Sequence, residues 1–285
     1  MNTSVTVTPQ TFLLGGQTPI NRLAYGAMRI TGPGIWGPPD DSFEALMTLR
    51  ELPTLGINFI DTADSYGPNV SEWLIAEALR PYDNVIVATK AGFVRPGPGV
   101  WEMDGRPEHL HQRVERSLEN LGLDQLALWQ LHRIDPKIPR DEQFDAIRIM
   151  QADGLINHVG LSEVSVDDIK AASTYFDVAT VQNRYNLVDR HSEDVLRYCE
   201  SQHIGFIPWY PLGAGSLARA DKVLQSIART HHATPAQIAL AWLLGRSPVV
   251  IAIPGTSNRR HLAENAASVH IRLTETEHAR LDALA

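Results

Sequence analysis

The chain has 285 residues, a formal net charge of −8, 44% hydrophobic and 20% charged residues, and a single cysteine, Cys199. This fits one barrel-sized domain or two ordinary ones with a sizeable core. The acidic balance argues against a nucleic-acid or anionic-membrane partner, and one cysteine excludes an internal disulfide and suits a reducing compartment. No apolar stretch is long enough to span a bilayer, and Met1-Asn2-Thr3-Ser4-Val5-Thr6 lacks a basic region followed by an apolar run. A cytoplasmic protein acting on a small molecule is expected, with its oligomeric state left open.

In chain order, Thr11–Leu14 and Gln17–Ile20 around Gly15-Gly16 read as a small hairpin. Eight apolar runs of strand length follow: Leu23–Ala27, Asn58–Ile60, Val85–Thr89, Leu126–Leu131, His158–Leu161, Val178–Val181, Ile204–Trp209 and Val249–Ile253. They are continuous rather than alternating, as in parallel strands covered on both faces. Helices are expected between them at Ser42–Leu55, Ser71–Leu79, Pro107–Leu121, Arg140–Asp153, Val166–Ala172, Ser192–Gln202 and Pro235–Leu244, then Arg260–Ala267. Thr234-Pro235-Ala236-Gln237 and Thr274-Glu275-Thr276-Glu277 are capping boxes, the second opening a terminal helix. No linker or low-complexity segment divides the chain. The expectation is one domain over residues 1–285, an α/β fold of the (β/α)₈ TIM-barrel type. Its lower end would be plugged by the hairpin, and a helix would close the chain.

In such a barrel the C-terminal strand ends share one mouth, and chemistry sits there. Ionisable residues follow three successive strands: Asp61 and Tyr66 in Asp61-Thr62-Ala63-Asp64-Ser65-Tyr66-Gly67, Lys90 in Val87-Ala88-Thr89-Lys90, and His132 in Gln130-Leu131-His132. Together they make a proton-transfer site. Gly32-Pro33-Gly34-Ile35-Trp36-Gly37 formally matches a dinucleotide fingerprint. Prolines at 33, 38 and 39 prevent the tight turn into a helix that this motif requires, so it reads as a loop at the barrel mouth. His231-His232 lacks a third ligand at suitable spacing, and no metal site is expected.

The chain resembles the aldo-keto reductases over nearly its whole length. The matching pieces come in that family's order: Asp-Thr-Ala-x-x-Tyr-Gly at 61–67, Ala-Thr-Lys at 88–90, Leu-His at 131–132 and Gly-Leu-Ser at 160–162. Val-Gln-Asn at 181–183, Pro-Leu-Gly at 211–213, Ile-Pro-Gly-Thr at 253–256 and Glu264-Asn265 complete the series. The resemblance implies NADPH-dependent reduction of an aldehyde or ketone. Tyr66 would donate the proton, Lys90 would lower its pKa, Asp61 would hold Lys90, and His132 would orient the carbonyl.

The resemblance also implies a cofactor site. Trp209 would stack on the nicotinamide, Ser162 and Gln182 would hold its carboxamide, and Glu264 and Asn265 would reach the adenine. The phosphates would lie on Leu212, Gly213, Gly215, Ser216 and Leu217 and on Pro254, Gly255, Thr256 and Ser257, with Arg260 and His261 alongside. Three positions depart from the common pattern. Glu163 stands where many members have Asn, Gly255 where many have Lys, and His261 where many have Arg. NADP(H) is favoured, with NAD(H) as the alternative.

Loops after strands one, three and four offer Met28, Arg29, Trp36, Phe93, Trp101 and Arg133 as a wide aromatic substrate opening with two cations. The loop at 32–39 also resembles a bacterial branch that includes pyridoxal reductases, which makes pyridoxal a candidate substrate. Two other readings of the same fold are an NAD-dependent sugar or alcohol dehydrogenase, and a cofactor-sensing regulatory subunit of a potassium channel.

Overall fold

A computed structural model describes residues 10–213 and 222–285. An antiparallel hairpin, β1 (Thr11–Leu14) and β2 (Thr18–Asn21), comes first. The barrel strands are β3 (Tyr25–Gly26), β4 (Phe59–Asp61), β5 (Ile86–Ala91), β8 (Leu126–Leu131), β9 (Ile156–Ser162), β10 (Val178–Gln182) and β11 (Gly205–Phe206). They form one parallel sheet in the order β11-β10-β9-β8-β5-β4-β3. Residues 249–253 close it as an eighth, irregular staff. Val250 bridges Phe206 on one side and Ala252 bridges Leu23 on the other, both in parallel. The expected eighth strand therefore exists as single bridges rather than as a ladder.

The helices are α1 (Ser42–Glu51), α2 (Val70–Leu79), α3 (Pro107–Leu121), α4 (Arg140–Ala152), α5 (Val166–Ala172), α6 (Glu193–Gln202), α7 (Lys222–Thr230), α8 (Pro235–Arg246), α9 (Arg259–Ala267) and α10 (Glu275–Asp282). Both capping boxes are present, with Thr234 and Thr274 each accepting from the N–H three residues on. Helix α7 has no counterpart in the sequence reading. Nor does the short hairpin β6 (Phe93–Val94) and β7 (Glu102–Met103). Among the described residues no helix is long and apolar enough to cross a membrane.

The strands alternate their two buried faces. Ile60, Val87, Trp129, Leu131, Val159, Leu161 and Val181 pack outward with the helices in the larger core. Phe59, Ala88, Leu128, Ala179, Ile207 and Ile251 point inward and pack with Leu14 and Ile20 of the hairpin. The hairpin thus plugs the lower end of the barrel, as expected. Since side chains alternate with period two, Asp61, Lys90 and Gln130 lie one step above Phe59, Ala88 and Leu128 on the same inward face. An apolar floor beneath a polar layer is what positions the site.

Candidate active site

The polar layer centres on an ion pair. Lys90 Nζ donates to Asp61 Oδ2 at 2.7 Å and to the Thr62 carbonyl at 2.7 Å. The side chains are 0% and 3% exposed. Asp61 Oδ1 accepts from Gln130 Nε2 at 3.0 Å and Gln182 Nε2 at 2.8 Å. Both carboxylate oxygens are therefore satisfied, which a buried charge requires. Burial pulls the Lys90 ammonium below the ordinary lysine value, and Asp61 opposes that shift.

Tyr66 stands on the loop after β4, with its ring centroid 5.3 Å from Lys90 Nζ and 6.0 Å from the His132 ring. Burial and the Asp61 charge push its phenol well above the ordinary tyrosine value, with Arg133 pulling the other way. These surroundings favour the neutral phenol. Arg133 is a cation that favours its phenolate in this geometry. Lys90, close to the same ring, gives two of its three N–H groups to Asp61 and Thr62. His132 is held neutral: burial, then the Lys90 and Arg133 cations, push its imidazole well below 6.5. Its Nδ1 lies 3.5 Å from Ser65 Oγ, with the direction of donation set by the tautomer.

Aromatic rings wall the tetrad. Phe93 lies 4.8 Å from His132 and 5.4 Å from Trp101, and Trp101 lies 6.2 Å from His132 and 6.4 Å from Tyr66, all edge to face. Arg133 sits over Phe93 at 5.8 Å. Its Nη1 donates to the His132 carbonyl at 2.5 Å and to Ser162 Oγ at 2.9 Å. Trp36 joins this mouth through its backbone bridge to Gly67. Met28 lies in the turn just after β3.

Arg29 lies in the short helical turn after β3. No ring contact, hydrogen bond or ion pair joins it to Phe93, Trp101 or Arg133 among the described residues. Instead, a Cβ added at Gly255 would stand 3.5 Å from Arg29 Cγ. Arg29 thus reaches the loop after the eighth staff. The same Cβ would lie 2.7 Å from the Gly26 carbonyl oxygen, and one added at Gly26 would lie 2.6 Å from that of Ile253. Two glycines thus let β3 and this loop touch backbone to backbone, and Gly26 N–H donates to Pro254 at 3.3 Å. A side chain at 255 would collide with backbone, so the lysine common at this position has no room here.

The remaining expected cofactor residues fall into three groups. Gly215, Ser216 and Leu217 lie outside the described residues, and Leu212 and Gly213 lead up to them. Ser162 and Gln182 are engaged within the protein, by Arg133 and Asp61. At the last loop, Asn258 Oδ1 accepts from the N–H groups of Arg260 and His261, so that helix end is already capped. The Thr256 hydroxyl is engaged in the same turn, donating to the Asn258 carbonyl at 3.4 Å and accepting from the Asn258 N–H at 3.1 Å, which leaves the Ser257 hydroxyl and the exposed cations there. Arg259 is held by Glu44 at 3.1 Å, and Arg260 stands 3.7 Å from Glu264. Asn265 is buried at 7% exposure.

Trp209 follows β11, half-buried, and donates its indole N–H to Glu163 Oε1 at 2.5 Å. Glu163 also accepts from the Arg184 backbone N–H at 2.7 Å. The departure at 163 therefore has a local role, fixing the plane of Trp209. A fixed indole at the mouth, a close-packed glycine loop, the Ser257 hydroxyl and the arginines near that loop form a donor set that suits a phosphorylated nicotinamide dinucleotide. Sequence reasoning missed Gln130 and Arg95. For Gln130 a signal existed: an amide at inward register two residues before His132. Arg95 left no such signal.

The chain matches the Aldo/keto reductase family over residues 22–285. It is 54% identical over 267 residues to an oxidoreductase of Schizosaccharomyces pombe, covering 94% of this chain and 87% of that one. It is 39% identical over 281 residues to pyridoxine 4-dehydrogenase of Escherichia coli, covering 96% and 98%. Among solved structures it is similar to an aldo/keto reductase from Klebsiella pneumoniae in complex with NADP and acetate, with TM-score 0.82, 28% identity and coverage of 96% and 95%. It is also similar to a glycerol dehydrogenase from Gluconobacter oxydans, with TM-score 0.86, 26% identity and coverage of 96% and 94%. The chain belongs to the aldo/keto reductase family and is an oxidoreductase.

Proposed function

We propose that this protein reduces an aldehyde to an alcohol with NADPH, that Tyr66 is the general acid, and that pyridoxal is a substrate. The observation that carries the reading is the buried Lys90–Asp61 pair beside a phenol kept protonated by its surroundings. When bound, the reduced nicotinamide supplies a hydride to the carbonyl carbon. Tyr66 Oη then gives its proton to the carbonyl oxygen, which takes the π electron pair as the new C–H bond forms. Neutral His132 offers an N–H to the same oxygen and orients it. Arg133 stabilises the phenolate left on Tyr66 until water returns the proton. The raised phenol pKa keeps the proton on Tyr66 until a carbonyl oxygen that is gaining negative charge draws it off.

Preference for NADPH is supported by the solved relative in complex with NADP, and by Arg29, Arg260, Thr256 and Ser257 grouped at the last loop. Pyridoxal is supported by the Escherichia coli relative's name and by the mouth's chemistry. Its flat ring suits Phe93 and Trp101, and its phenolate-like oxygen suits Arg133. Among the described residues, Arg133 has only Nη1 engaged, which leaves Nε and Nη2 to a ligand. A cytoplasmic location is supported by the single, buried cysteine. The test is an aldehyde panel of pyridoxal, benzaldehyde and butanal, each with NADPH and NADH. We expect the highest kcat/KM for pyridoxal with NADPH. A pyridoxal value at or below that for butanal would refute the substrate, and no turnover of any aldehyde would refute the reductase.

A further inference from the structure

Arg95 follows the two-residue strand β6 and is only 7% exposed. Among the described residues it has no carboxylate partner. Its guanidinium instead donates to four backbone carbonyls: Nε to Val100 at 2.8 Å, Nη1 to Ser65 at 2.8 Å and Ile35 at 3.1 Å, and Nη2 to Gly34 at 3.0 Å. The same guanidinium lies 3.7 Å over the Trp101 ring and 5.7 Å from that of Trp36.

These partners belong to three loops. Gly34 and Ile35 lie in the loop after β3, Ser65 directly precedes Tyr66, and Val100 and Trp101 lie in the β6–β7 hairpin. Otherwise these loops are joined by a few backbone bonds: Gly37 to Gly67 at 2.8 Å, Gly67 to Ile35 at 3.3 Å and Gly99 to Gly34 at 3.2 Å. A hairpin of two-residue strands around Pro96-Gly97-Pro98-Gly99 cannot hold its own shape. Its outer rim is apolar, with Val94, Val100 and Met103 exposed. An arginine suits the junction because its planar fork satisfies several carbonyls while its face stacks on indole.

We infer that Arg95 is the positioning residue of the substrate wall. It clamps the three loops, sets Trp101 edge-on to Tyr66, Phe93 and His132, and thereby selects flat aromatic carbonyl compounds over slim aliphatic ones. The selectivity half of this inference rests on the reductase reading, whereas the loop clamp does not.

The experiment uses the full chain as Arg95→Met, Arg95→Lys, Trp101→Ala and the Arg95→Met/Trp101→Ala double variant. With NADPH, Arg95→Met should raise KM for pyridoxal and benzaldehyde about tenfold, while kcat/KM for butanal changes by less than about threefold. Arg95→Lys should not rescue, since an ammonium cannot span four carbonyls. In the double variant the loss of aromatic preference should match that of Trp101→Ala alone, because both changes act through one ring. Equal losses on aromatic and aliphatic aldehydes, rescue by lysine, or additive losses would overturn the inference. Hydrogen exchange supplies the arm free of turnover. In Arg95→Met and Arg95→Lys the amides of Gly37, Gly67 and Gly99 should exchange faster together, with that of Gln130 in β8 unchanged. No acceleration, or acceleration throughout the barrel, would overturn the clamp even if the protein reduced no aldehyde.

Discussion

Lys90 and Asp61 form a 2.7 Å ion pair almost sealed from solvent, at the inward ends of neighbouring parallel strands. Removing one partner leaves the other charged and buried, at a cost of about 3–5 kcal/mol. Asp61→Ala should therefore lower stability by about that much, and it should also free Gln130 and Gln182 from their shared acceptor. Asp61→Asn keeps the shape and should cost less. Urea unfolding of both variants beside the parent checks this, and a loss of less than about 1 kcal/mol in Asp61→Ala would contradict it.

Arg29 lies beside Gly255 with no protein partner among the described residues, whereas Arg260 faces Glu264 at 3.7 Å. Arg29→Ala should weaken NADPH more than NADH, by about tenfold in the ratio, as expected for a charge-assisted contact. Arg260→Ala should change the ratio less. Fluorescence titration with each cofactor decides the order, and equal weakening of NADPH and NADH by Arg29→Ala would contradict the placement.

His132 is held neutral, with its folded pKa well below 6.5. Below pH 6.5 the unfolded chain binds a proton there that the folded chain does not. Its contribution to stability is therefore full above 6.5 and lost as pH falls toward the folded pKa. His109, His158 and His278 shift in the same direction, so a difference measurement is needed. His132→Asn should flatten the stability–pH slope between about pH 5 and 6.5 by up to about 1.4 kcal/mol per pH unit. Thermal or urea midpoints across pH 5–8 measure this, and parallel curves would contradict it.

The barrel was legible because parallel strands buried on both faces leave continuous apolar runs, and because Thr234 and Thr274 announce their helices. The tetrad was legible for the same reason: each member follows such a run. Helix α7 falls outside the eight strand–helix pairs that the barrel pattern accounts for, although Val223, Leu224, Ile227 and Ala228 have helical spacing. The β6–β7 hairpin has two residues a side, too few for any period to show. Arg95 binds backbone carbonyls, which every residue carries, so no partner residue marks it in the sequence. Glu163 and Trp209 meet across 46 positions, and Arg29 reaches Gly255 from the other end of the chain. Folding alone brings such pairs together.

Tyr66 offers the most direct test. Its phenol is protonated at neutral pH, and its hydroxyl has no hydrogen-bond partner among the described residues. Tyr66→Phe keeps the ring against Trp101 and His132 and removes only the hydroxyl. Single-turnover oxidation of bound NADPH by pyridoxal or benzaldehyde, followed at 25 °C in parent and variant, isolates the chemical step. The account predicts a fall of about 10²–10⁴-fold with NADPH affinity unchanged. A variant that oxidises NADPH at close to the parent rate would contradict it.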